Sequence, residues 1–242
     1  MSPALPRPAE LRAIALDAAR AVAGDLATAF RSPTAIGPEA KTTHHDLVTV
    51  HDRHTEARLV AALTTAVPGS GVLGEELGAQ AGTGEAARLT WIVDPIDGTA
   101  NYAVGNPFAC ILVSLVHQGQ TMVSVTEMPL LGKRITARRG HGLLVDGHPS
   151  RAMPPSDPGV TQISFGSILS QRRGNLPISY RQDMLNEIGK SYPRMRVTGS
   201  VGISSVSDSA RASARATIGE RRSSPYFSAS ARISWRTSFF SL

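Results

Sequence analysis

The stretch Trp91-Ile92-Val93-Asp94-Pro95-Ile96-Asp97-Gly98-Thr99-Ala100-Asn101-Tyr102 decides how this chain is read. It opens with three apolar residues of the kind carried by a strand covered on both faces, and the run is expected to stop at Asp94. Pro95 fixes its own φ and keeps Asp94 out of the helical region, so Asp94 and Asp97 sit in one rigid corner. Gly98 permits a positive φ or the close approach of a ligand, and Thr99 offers a hydroxyl and is expected to cap a helix that follows. Backbone N–H groups at such a helix start attract anions. Carboxylates beside an anion site make sense with a cation between them, and hard oxygen donors favour Mg²⁺ over zinc. The local chemistry is that of a metal-assisted phosphate site. A plain strand-ending turn would use the same Asp-Pro and Asp-Gly pairs.

Upstream, Gly71 to Gly74 forms a second short strand pattern that ends in Glu75 and Glu76, of which Glu76 is expected to be the more solvated. Two strands that deliver carboxylates to one edge are a common way to build a site, and this argues against the plain turn. Further upstream, Leu11, Ile14, Ala15, Ala18, Val22, Leu26 and Phe30 recur at helical steps and predict an amphipathic helix over 8–30. A second helix is expected over 49–66, stopped by Pro68 and Gly69, and 78–85 reads as a small-residue loop. His51 and His54 are expected on a solvated face of that second helix.

Downstream, strands are expected at 108–116, 121–127, 133–138 and 143–145, joined by Gly-bearing turns, which points to an antiparallel sheet. The Pro-rich segment 153–158 reads as a linker. A strand at 161–165, a helix at 178–190 and a strand at 195–197 suggest a second α/β half. The organisation expected is an N-terminal α+β half over 1–150 with the metal and phosphate site, a partial C-terminal half over 151–203, and a tail over 204–242. In the 43 residues from Ser200 onward, 13 are Ser and the apolar residues follow neither a strand nor a helix period, apart from a weak helix pattern at 205–218. Disorder or poor packing is expected there.

The chain has 242 residues, 41% of them hydrophobic and 18% charged, which suffices for a sizeable core. The net charge is +6, but six Arg and two acids from Ser200 onward account for +4 of it. The remaining body is close to neutral without a basic run, which argues against nucleic acid as its partner. The sequence contains no secretory-type apolar stretch and no run long enough to span a membrane, so a cytoplasmic location is expected. The one cysteine, Cys110, lies in an apolar run and reads as a small buried hydrophobe.

Asp94-Pro95-Ile96-Asp97-Gly98-Thr99 with Asn101 and Tyr102, preceded by Gly74-Glu75-Glu76, resembles the inositol monophosphatase family of Mg²⁺-dependent, lithium-sensitive sugar-phosphate phosphatases. Lys41 to Asp46 with Leu47, Val48, Thr49 and Asp52, and Arg196 to Gly202, extend the resemblance over residues 9–203. It implies a layered αβαβα sandwich. It implies that Glu75, Asp94, Asp97 and the carbonyl of Ile96 bind Mg²⁺, and that Gly98 and Thr99, beside Asp97, hold the substrate phosphate. Thr99 would pair with Asp52 to orient the attacking water, with Glu75 also taking part in catalysis, and Asp46 would act in the outer shell of a weaker metal. The substrate implied is inositol monophosphate or another small phosphorylated polyol or alcohol, hydrolysed by metal-activated water. Homodimers are usual in the family.

The sequence also departs from the pattern. Family members carry a later Trp-Asp pair whose Asp binds a second metal, whereas the later tryptophan here, Trp235, is followed by Arg236. Weak activity is therefore expected. Two other readings stand beside the phosphatase: a non-catalytic binding or regulatory protein that retains the fold, and a frame-disrupted product, since the loss of pattern after Ser200 is abrupt.

Overall fold

The computed structural model describes residues 5–32, 39–40, 47–48, 50–150, 162–165, 178–192 and 194–199. The chain divides into two compact units, Met1–Ser150 and Arg151–Leu242.

In the first unit, helix α1 (Pro8–Arg31) starts with proline at its first turn, where the missing N–H costs nothing. Glu10 accepts the Arg7 backbone N–H at 2.8 Å. Its buried stripe, from Leu11 through Ala15, Ala18, Ala19 and Val22 to Leu26, is rich in alanine, which lets the helix lie close to its neighbours. A short antiparallel ribbon, β1 (Glu39–Ala40) and β2 (Leu47–Val48), precedes α2 (Val50–Ala66). The buried stripe of α2, formed by Asp52, Thr55, Glu56, Leu59, Val60 and Leu63, includes two acids, Asp52 and Glu56.

The strands β3 (Gly71–Gly74), β4 (Ala79–Gln80), β5 (Leu89–Asp97), β6 (Cys110–His117), β7 (Gln120–Met128), β8 (Lys133–Arg138), β9 (Leu143–Val145) and β10 (His148–Pro149) form one sheet. Its order is β10-β9-β8-β7-β6-β5-β3-β4. The downstream strands β6 to β9 are antiparallel as expected, and the one parallel pair of the sheet, β3 with β5, lies upstream of them. The parallel pair requires a crossover, supplied by β4 and a 3₁₀ turn at Gly84–Arg88. Both lie in or beside the stretch expected to be a small-residue loop. Short pairings of this kind have no periodic signal of their own.

α1 packs on α2 and over β6, β7 and β8, while α2 covers β5 and β3. The shared core joins Leu11, Val22 and Leu26 of α1, Leu59 and Leu63 of α2, and Trp91, Val93, Ile111, Val113, Leu115, Val123 and Val125 of the sheet. Each large side chain buried there contributes about 1.5–3 kcal/mol. Trp91 is fully buried, at 0% exposure.

Strand β5 does not stop at Asp94. It continues to Asp97, with a register shift against β6 between the pairs Asp94–Leu112 and Asp97–Cys110. The irregularity accommodates Pro95, which has no N–H to give to a ladder.

In the second unit, β11 (Gln162–Phe165), α4 (Ile178–Ser191) and β12 (Arg194–Val197) form a β-α-β arrangement with β11 and β12 parallel. The expected linker at 153–158, the weak helix at 205–218 and the tail at 204–242 lie outside the described residues, as does Asp46.

Candidate metal and phosphate site

The parallel pairing sets the level of the site. Gly74 of β3 faces Val93 of β5, so Glu75 follows β3 at the height where Asp94 occupies β5. Past the bulge the chain reverses at Gly98, whose φ of 89° and ψ of 36° lie in the left-handed region that glycine enters without strain. A short helix, α3 (Thr99–Ala103), follows. Gly98 therefore occupies the cap position expected of Thr99, and Thr99 is the first helical residue. The positive φ required by the reversal decides this.

Thr99 is then placed to bridge the two sides of the corner. Its Oγ1 donates to Oδ1 of Asp52 at 3.1 Å and lies 2.9 Å from the carbonyl oxygen of Ile96. Asp52 is almost wholly buried, in the first turn of α2, where the helix dipole favours a carboxylate. α3 is anchored through Tyr102, whose N–H donates to the Gly98 carbonyl and whose hydroxyl donates to the Leu26 carbonyl of α1, both at 3.0 Å. The Tyr102 ring lies 5.4 Å from that of Phe30, and the ring of His51 meets it edge-on at 6.0 Å. His54 is exposed as expected. His51 is half-buried instead, with the Tyr102 ring of α3 lying against it. Burial first, and then the charge of Asp52, push the Tyr102 hydroxyl up to about 12.

Asp94 is strongly perturbed. Burial pushes its pKa well above the usual carboxylate range, and the charges of Glu75, Asp97 and Asp52 push it in the same direction. Its Oδ1 is buried and makes no hydrogen bond. Glu75 is exposed and Glu76 is half-buried, the reverse of what the sequence suggested. The Glu76 amide is drawn inward by a hydrogen bond to Glu56, and Glu75 is left projecting past the strand end. Cys110 is buried as expected, but its Sγ lies 3.4 Å from Oδ2 of Asp97, so it also touches the corner.

Among the described residues, no three His, Cys, Asp or Glu side chains are arranged as a ready metal cage. The donor chemistry nevertheless suits a hard divalent cation. Asp94 has an orphaned buried oxygen, and three neighbouring carboxylates repel its charge, a repulsion that bound positive charge relieves. No helix among the described residues is long and apolar enough to cross a membrane.

The sequence profile of the inositol monophosphatase family matches residues 7–216. The chain belongs to that family. One relative, a probable inositol 1-monophosphatase, ImpA, of Mycobacterium tuberculosis, is 36% identical over 159 residues, covering 66% of this chain and 57% of the relative. The Nus factor SuhB of Salmonella typhimurium is 28% identical over 193 residues, covering 78% of this chain and 69% of that protein. The crystal structure of the extragenic suppressor protein suhB of Bartonella henselae superposes with a TM-score of 0.71 at 24% identity, over 81% of this chain and 72% of that one. The α+β fold is thus that of the inositol monophosphatase family. The chain spans little more than half, 57%, of the length of the mycobacterial relative. Solved structures of similar fold carry Mg²⁺ with phosphate, or Ca²⁺.

Neither Glu56 nor the contact between Cys110 and Asp97 was anticipated from the sequence. A signal for Glu56 exists: it falls in phase with Leu59 and Leu63, on the apolar stripe of α2, where a solvated glutamate has no place.

Proposed function

We propose that this chain is a Mg²⁺-dependent phosphomonoesterase that hydrolyses inositol monophosphate or a related small sugar or alcohol phosphate. The observation that carries the reading is the Thr99–Asp52 hydrogen bond, made at the turn that follows the Asp94–Asp97 corner. In this reading Glu75, Asp94, Asp97 and the Ile96 carbonyl hold Mg²⁺. The backbone N–H groups of Gly98 and Thr99, beside Asp97, receive the phosphate. Bound Mg²⁺ supplies Lewis-acid polarisation and activates water.

The proton route runs through this chain's own groups. A hydroxyl has one proton to give, so Thr99 donates either to Asp52 or to the Ile96 carbonyl at any moment. When the Ile96 carbonyl is occupied as a ligand, the Thr99 proton goes to Asp52. The Thr99 oxygen is then left as an acceptor for the attacking water. Asp52, acceptor-only when ionised, holds that orientation, and as the water gives its proton to the Thr99 oxygen, the Thr99 hydroxyl proton passes to the Asp52 carboxylate, which becomes neutral.

The test is phosphate release from a panel of inositol, sugar and alcohol monophosphates with Mg²⁺, against Thr99→Ala and Asp94→Asn. Release above that of both variants supports the reading, and release equal to theirs on every substrate overturns it. The similarity to a Nus factor favours a second reading, a binding protein that retains the fold. Full Mg²⁺ binding with no hydrolysis of any substrate would select it.

A further inference from the structure

Glu56 is fully buried, at 0% exposure, one helical turn after Asp52 on the same face of α2. Its Oε2 accepts the backbone N–H of Glu76 at 2.8 Å, and its Oε1 accepts that of Leu77 at 2.8 Å. On the other side of Glu75, a Cβ built on Gly74 would fall 1.8 Å from Glu56 Oε1, so the absence of a side chain there is what admits the carboxylate. The turn itself is closed by the Gly74 N–H donating to the Gly78 carbonyl at 2.9 Å.

Burying a carboxylate is expensive, and an apolar side chain would fill a helix face without that cost. The two amides facing Glu56 explain its presence. They belong to the two residues that directly follow Glu75, the residue after β3 that is presented beside Asp94, and without an acceptor they would turn elsewhere. α2 thereby indexes both sides of the corner, Thr99 through Asp52 and the Glu75 backbone through Glu56.

We propose that Glu56 is a positioning residue for the metal site, whose carboxylate fixes the backbone at Glu75–Leu77 so that Glu75 is held at the level of Asp94. This rests on the reading of Glu75 as a metal ligand. Partners that orient ligands typically carry 10- to 100-fold of metal affinity, and a loss of about that size is expected here.

The experiment titrates Mn²⁺ into the full chain and follows binding by electron paramagnetic resonance, for wild type, Glu75→Gln, Glu56→Gln and Val60→Ala. Val60→Ala perturbs the same helix face without touching the turn. Weakened Mn²⁺ binding in both Glu75→Gln and Glu56→Gln, with Val60→Ala binding as wild type, supports the proposal. Wild-type affinity in Glu75→Gln overturns the ligand reading itself. Weakened Glu75→Gln with wild-type affinity in Glu56→Gln overturns the positioning role alone, as does an equal loss in Val60→Ala. If Glu56→Gln fails to fold, amide exchange on the wild-type chain decides. Saturating Mg²⁺ should raise protection at the Glu76 and Leu77 amides, and unchanged protection there overturns the proposal.

Discussion

The hydroxyl of Thr99 donates to Asp52 Oδ1 at 3.1 Å across 47 positions of sequence, and so joins the turn after β5 to the first turn of α2. Neither residue is near the other in the chain. Their meeting depends on α2 covering β5 and on the chain reversal at Gly98.

The pair sets the first prediction. Thr99→Ala should lower kcat about 10²-fold or more, the usual size of a positioned proton-transfer group, while Thr99→Ser should retain most of the rate. Steady-state phosphate release measures both. Equal rates for the alanine and serine variants would remove Thr99 from the reaction.

Asp94 sets the second. Its folded-state pKa is raised, by burial first and then by Glu75, so protonation favours the folded state. The stability it contributes is fully present below its unfolded pKa and is lost as pH rises through the folded value. The metal-free chain should therefore unfold at progressively lower urea concentration from mildly acidic to neutral pH. Asp94→Asn should flatten that slope, and urea titrations in EDTA across this range test it.

The third concerns the anchor beneath the turn. Tyr102→Phe removes the donor to the buried Leu26 carbonyl and should cost about 1–3 kcal/mol of stability. It should also loosen α3, which carries Thr99 at its start. Equilibrium unfolding gives the first quantity, and amide exchange over 98–103 gives the second.

Much of this was legible in the sequence. The bounds of β3 and β9 follow from their apolar residues and flanking glycines, those of β8 from its alternating pattern between glycine-bearing turns, and the acidic corner follows from Asp94 to Thr99. The course of β5 through Pro95 was not legible, because a register shift inside a strand leaves no periodic trace. The cap at Gly98 was mistaken for one at Thr99 because side-chain capping and positive φ compete for the same position, and here the backbone reversal won. Glu75 and Glu76 exchanged their expected exposures for a reason that lies 20 residues upstream, in the buried carboxylate of Glu56. Local sequence does not reveal where an acceptor from another helix will arrive.

In the function proposed for this chain, the Asp94 corner holds a divalent cation. Calorimetric titration of Mg²⁺ in buffers of different ionisation enthalpy tests it most directly, because a cation that binds Asp94 must displace the proton held there. Saturable Mg²⁺ binding is expected for the wild-type chain, with proton release at mildly acidic pH that diminishes toward higher pH, and neither effect in Asp94→Asn. Saturable binding with the same proton release in Asp94→Asn, or no saturable binding by wild type, would contradict the proposed function.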